Sequence, residues 1–310
     1  MFVIATVILS SLLSAGPQKA PFVDRIVAAT NVRLRSEPQT NAAILAGLSL
    51  GTVLTSLEVS ADGTWYRVRT PDGMSGWVLA ALTRPFSDRE STDVYRGIIE
   101  SRLKTDILSF PEASELFQFV DRIAPQVQGP ARAEFDLFRL RALGRSLDQI
   151  MGYEPTEPAH RDWIKKYEQY VVYSEPAGQW LVRAELYWEL EVQHRGNPVA
   201  DEIAWQAATT GLPGECEGYI PCHLAIVLLT DGRYLDRYPF GSHAAEAVQR
   251  IDDLLLDVVK PNTPYFMDAK EAAELRLSLE NLAQILGRSS SPKKTDMLAR
   301  LKQIEQTFAK

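Results

Sequence analysis

The sequence predicts a β + α chain of several domains: a small all-β barrel, then an all-α region that is either helical-repeat-like or an irregular bundle. Three observations carry this. Between residues 26 and 82, short apolar runs alternate with turn residues, as in an all-β unit. From Ser91 onward the apolar period becomes helical and strand signals nearly vanish. The 310 residues leave room for about two domains, and an apolar share of 45% is enough to give both a core.

The chain opens on MFVIATVILSSLLSA, an uncharged apolar run that ends in small residues. It has the length of a secretion-signal core and falls short of the ~20 residues that cross a bilayer. Residues 1–20 are therefore expected to be a signal peptide, cleaved after Ala15 or nearby. A basic n-region is missing, so a buried N-terminal strand and an uncleaved tether stand as alternatives. No Cys follows the run, which excludes a lipoprotein anchor, and no transmembrane span is expected after cleavage.

Residues 22–86 come next. Ile44, Leu45 and Leu48 precede Gly51, and Val53, Leu54, Leu57 and Val59 follow it. Asp62-Gly63 signals a tight turn before Trp65. Pro71-Asp72-Gly73 closes the next hairpin, because Pro presets φ and Gly accepts a positive one. Gly76-Trp77-Val78 starts the last strand. About five short strands in so little chain suit a barrel, which removes exposed edges by closing on itself.

Four segments in this order resemble the bacterial SH3-like domain family: Asn31-Val32-Arg33, Gly51-Thr52-Val53-Leu54, Trp65-Tyr66-Arg67-Val68 and Gly76-Trp77-Val78. Leu34 to Pro38 depart from the family's opening, where a small residue and Pro follow sooner. The resemblance implies a non-catalytic binding module of the bacterial envelope, directed at peptidoglycan stem peptides or other envelope polymers. The expected partner is thus peptidoglycan or an envelope peptide or protein, and the expected location periplasmic or extracellular. Trp and Tyr with a few Arg can stack on a ligand backbone and grip a carboxylate. Trp65, Tyr66 and Trp77 are the aromatic candidates, and Arg33, Arg35 and Arg67 the charged ones. The alternative is that some of the aromatic residues fill the core, and strand alternation does not decide, because barrel strands bulge.

Residues 87–310 read as all-α, with eight to ten helices. Ala133, Leu137, Leu140, Leu147 and Ile150 share a face after Pro130, and further helix starts are expected at Pro158, Pro176 and Pro198. Leu275, Leu279, Leu282 and Leu286 form a second stripe, and Met297, Leu301, Ile304 and Phe308 a third. Segments 115–140, 166–190 and 232–255 are weakly alike: an aromatic-bearing helix end, a Pro turn, then a helix opening on Ala and Glu. The last, Tyr234 to Pro239 with His243 to Ala247, is similar to tetratricopeptide-like envelope proteins, in which helix pairs stack to bury faces they cannot bury alone. Trp180, Tyr187 and Trp188 are read as helix–helix core rather than a sugar platform.

Charge is unevenly shared. Residues 22–86 carry six Arg against five acidic residues, whereas 87–310 carry 26 basic against 35 acidic ones. That excess of acid argues against nucleic-acid binding, which needs phosphate neutralisation.

Cys216 and Cys222 are read as a disulfide, worth about 2 kcal/mol on the chain-entropy model for so short a loop. With His223 they supply too few ligands for structural zinc, which takes four. His160, His194, His223 and His243 stand apart, without metal-ligand spacing, and no nucleophile elbow, phosphate loop or dinucleotide fingerprint is present. No catalytic residue, metal or cofactor is expected. The functional expectation is an exported, non-enzymatic envelope protein whose barrel binds the wall and whose helical domain is an interaction scaffold. The alternative is a cell-wall hydrolase or hydrolase regulator with its site near Cys216 to His243, where Cys, His and turn residues are densest.

Overall fold

Seven antiparallel strands build the N-terminal part of the computed structural model, which describes residues 23–308. The signal peptide expected at residues 1–20 lies outside the described residues. The chain divides into two compact units, one ending at Ser91 and the other starting at Thr92.

The strands are β1 (Arg25–Val27), β2 (Val32–Arg35), β3 (Ile44–Leu48), β4 (Val53–Val59), β5 (Trp65–Arg69), β6 (Ser75–Leu79) and β7 (Thr83–Pro85). Their spatial order is β3-β2-β6-β5-β4-β1-β7. Two more strands form than the five expected, because the brief β1 and β7 pair with each other beside β4. Val27, Val32, Leu34, Leu48, Leu54, Val68 and Val78 make one buried cluster. Leu48 of an edge strand shares that core with Val27, so the sheet curls around it. At the β4–β5 turn Gly63 takes a φ of 73°, and at the β5–β6 turn Gly73 takes 90°, conformations that cost a residue with Cβ. Asp62 stiffens the first of these turns. It accepts from the Ser60 hydroxyl (2.6 Å) and from the Thr64 amide (3.1 Å) and hydroxyl (2.8 Å), and these bonds hold its carboxyl down at about 2.

Eleven α-helices among the described residues form the second unit. They are α1 (Ser91–Leu103), α2 (Phe110–Ile123), α3 (Ala131–Leu147), α4 (Pro158–Lys166), α5 (Ala184–Gln193), α6 (Ala200–Thr209), α7 (Ile220–Leu229), α8 (Asp231–Arg237), α9 (Ala244–Val258), α10 (Ala272–Arg288) and α11 (Lys294–Phe308). Local signals set the ends. Glu112 reaches back to the Ser109 amide (3.0 Å) at the start of α2, and Pro158 opens α4. Successive helices pack in pairs: α2 with α3, α5 with α6, α8 with α9, α10 with α11. Ala133, Leu137, Leu140 and Leu147 are buried on α3, all four stripe leucines on α10, and Met297, Leu301 and Ile304 on α11.

The region is not wholly helical. Residues 166–190, expected as a helix–turn–helix, hold a β-hairpin of β8 (Val171–Ser174) and β9 (Gln179–Val182). The Val171-Val172-Tyr173 and Trp180-Leu181-Val182 runs are β-branched and aromatic, types that lose rotamer freedom in a helix and fit a pleated strand. Pro176 therefore sits in the hairpin turn, closed by the Gly178 amide on Glu175 O (3.1 Å), and starts no helix. The three segments read as a repeat do not share one structure: the first and third are helix pairs, the second is not. Tyr187 and Trp188 are core residues at 3% and 4% exposure, but Trp180 stands on β9, only partly covered.

Candidate functional site

Pairing register brings part of the expected site together. Arg35 on β2 lies opposite Trp77 on β6, Trp77 opposite Arg67 on β5, and Arg67 opposite Glu58 on β4. The four residues form one row across four strands. Alternation sets the face: Leu34, Val68 and Val78 point into the core, so their neighbours Arg35, Arg67 and Trp77 point outward. Arg33 shares this outer side of β2, is exposed, and lies opposite Gly47.

The row is a partly covered indole flanked by two guanidiniums. The Arg35 Nη1 donates to Ala42 O at 2.8 Å, which ties it to the β2–β3 loop. The Arg67 Nη1 is 3.6 Å from the Glu58 carboxylate, with both side chains half exposed. Such a pair contributes about 0–1 kcal/mol, so a carboxylate on a ligand can displace Glu58 at small cost. Chemically, the row can cover one flat apolar face and hold an acid group beside it.

Two expected members are elsewhere. Tyr66 is on the inner side, packed against the core cluster, with the Arg25 guanidinium 4.0 Å from its ring centre. Arg25 in turn donates from Nε to the Thr83 hydroxyl (2.6 Å), and its burial pulls its pKa below the ordinary value, opposed by Tyr66. Trp65 points to the outer side yet is 7% exposed, opposite Leu79, so its ring is not open to a ligand. Neither stands in the row with Arg35, Trp77 and Arg67. Alternation along β5 is the reason for Tyr66, which shares the inner side with Val68. Arg69 was missed. It lies two residues from Arg67 on the same exposed side, and the Arg67-x-Arg69 alternation is the signal that marks it.

Cys216 and Cys222 are disulfide-bonded, 5.4 Å apart at Cα, and no free cysteine remains. The bond closes the loop that enters α7, in which Glu217 and Gly218 both hold positive φ. The nearby histidines have separate surroundings. His223 packs edge-on to Tyr265 (5.1 Å), and burial lowers its pKa against the pull of Asp257. His243 stacks on Trp205 (4.7 Å) and its Nε2 meets the Glu202 carboxylate at 2.9 Å. The segment thus holds no thiol nucleophile and no residue shared between the two imidazoles. Among the described residues, no three His, Cys, Asp or Glu side chains group as a metal site, and no helix is long and apolar enough to cross a membrane.

Residues 30–83 match the family model described as the bacterial SH3 domain. The matched stretch contains β2 to β6 and the whole Arg35–Trp77–Arg67 row. No curated protein matches the chain.

Proposed function

We propose that this is an exported, non-enzymatic protein of the bacterial envelope, whose barrel binds peptidoglycan or an envelope peptide through the Arg35–Trp77–Arg67 row. The row carries the reading: an accessible indole between two guanidiniums suits a peptide backbone with a carboxylate, and wall stem peptides supply both. The bacterial SH3 match over the same residues supports a wall-binding module. The short disulfide fits an oxidising compartment, which supports a periplasmic or extracellular place. The helical unit, with its paired helices and acid excess, serves as the scaffold for a protein partner, a role like that of tetratricopeptide-like envelope proteins.

Co-sedimentation of the full chain with purified peptidoglycan sacculi tests this. Trp77→Ala is expected to cut retention by about tenfold, a loss of about 1.4 kcal/mol, without lowering the melting temperature. Equal retention of the folded Trp77→Ala and Arg67→Ala proteins would remove the row from the proposal.

A further inference from the structure

The β8–β9 hairpin builds a second surface, within the helical unit, that the wall-binding row does not use. Tyr173 and Trp180 are a cross-strand pair, their rings edge to face at 5.5 Å. Tyr153, from the loop before α4, joins them: it is 5.3 Å from Tyr173, and 6.1 Å from Trp180 with the two ring planes 9° apart. The loop is fastened to the hairpin at two points. Met151 bridges Gln179, and the Trp180 indole N–H donates to Gly152 O at 3.1 Å. With that N–H engaged, what Trp180 offers a ligand is its ring.

An aromatic cluster of this kind is ordinarily covered, yet Tyr153 is 66% exposed and the adjoining Met151 74%. The three rings line a cleft of about 720 Å³, within the usual size of a ligand site. Across it stand cations from α4 and from the end of the hairpin. Arg161 is turned toward Pro155 O (3.0 Å), whereas Lys165 and Arg183 are exposed and form no ion pair among the described residues, although Glu154 and Glu168 line the same cleft. Aromatic rings beside uncommitted cations complement a ligand that is flat-faced and anionic. A peptide added as a further strand fits less well: β8 has four residues, and Val171 at its start is 2% exposed, so little open strand edge is offered.

We propose that this cleft is a second binding site, for a saccharide chain that carries carboxylates. Tyr153 and Trp180 cover sugar faces, and Lys165 and Arg183 meet the acid groups. The proposal rests on the wall-binding reading and adds a glycan contact to the peptide contact assigned to the barrel. Two modest sites on one chain then reinforce each other on a polymer that presents both groups.

The test titrates the full chain, by calorimetry, with wall glycan freed of stem peptides by amidase, and separately with the released peptides. The glycan is expected to bind, about tenfold or more weakly in Tyr153→Ala, Trp180→Ala and Lys165→Glu, and unchanged in Trp77→Ala. Chemical reduction of the glycan carboxyls is expected to weaken it similarly. Tyr153→Ala, at a largely exposed position, guards against loss by misfolding, and melting curves check every variant. If sacculi are retained through Trp77 while the stripped glycan does not bind, this inference is overturned and the barrel reading stands. If the released peptides bind in a Trp180-dependent way and the glycan does not, the cleft is a peptide site and the proposal is wrong. If glycan binding depends on Trp77 alone, the cleft plays no part, and if neither sacculi nor glycan bind, both readings fall.

Discussion

Gly76 shows how a single missing side chain sets the barrel. A Cβ built there would lie 2.7 Å from Leu34 Cγ and 2.8 Å from Arg35 O, so β2 and β6 approach as they do only because nothing projects between them. The backbone oxygen cannot swing aside as a side chain can. Gly76→Ala is therefore expected to lower barrel stability by about 1–3 kcal/mol in urea unfolding. Gly47, also in a strand, has open space around its Cβ position, and Gly47→Ala is expected to be near neutral. Equal losses would show that strand geometry, not the β2–β6 approach, explains Gly76. The same close approach carries Arg35 to its place beside Trp77. The Gly-Trp pair was legible in the sequence as a motif, but its cause, a contact with residues about forty positions earlier, was not.

Among the elements, α5 and α8 are joined by a buried ion pair. Glu191 on α5 is 1% exposed. Its carboxylate is bonded by Arg237 of α8 and by the Tyr238 hydroxyl (2.9 Å), and Arg237 also lies 5.5 Å over the Trp188 ring. Removing one partner strands the other, so Glu191→Ala is expected to destabilise the helical unit by about 3–5 kcal/mol in chemical denaturation. Glu189, exposed on the same helix, is expected to change stability by less than about 0.5 kcal/mol when replaced by Ala. A small loss at Glu191 would mean that this ion pair does not hold α8 against α5. In the sequence Glu191 looks like its neighbour Glu189, a member of an acidic pair on a solvated face. The β8–β9 hairpin was masked because Pro176 mimics a helix start, although the β-branched and aromatic runs on either side of it carry a strand signal that the pairing of Tyr173 with Trp180 bears out.

At the scale of the whole molecule, one buried carboxyl makes stability depend on pH. Asp231, the first residue of α8, is 4% exposed; its Oδ1 is buried without a partner while its Oδ2 meets Arg250 at 3.2 Å. Burial pushes its carboxyl up from 3.8 to about 6, with Arg250 opposing and Glu246 adding. Between those values the folded chain holds a proton that the unfolded chain has released. Stability from this group is therefore greatest below about pH 4 and falls as pH rises through 6, by roughly 3 kcal/mol. The Asp231→Asn protein is expected to lack that slope, so its stability should gain on the parent between pH 4 and 7 in urea titrations. Parallel curves for the two proteins would place the carboxyl in water.

What the amino-acid order determined by itself was the class of each part and its local punctuation. The alternating runs, Asp-Gly and Pro-Asp-Gly turns specified the strands of the barrel, and the leucine stripes of α10 and α11 specified helices whose buried faces follow directly. Periodicity and turn chemistry act over a few residues, which is why they can be read along the chain. The Cys216–Cys222 bridge was legible on the same ground, since its partners are close in sequence. Tertiary structure alone decided which candidates share a surface. It joined Arg35, Trp77 and Arg67 in one row, set Trp65 and Tyr66 apart from it, and gathered Tyr153, Tyr173 and Trp180 around an open cleft. Those outcomes depend on a long-range register and the docking of a loop on a hairpin. Each is settled by packing free energy between distant segments, a quantity that no window of neighbouring residues contains.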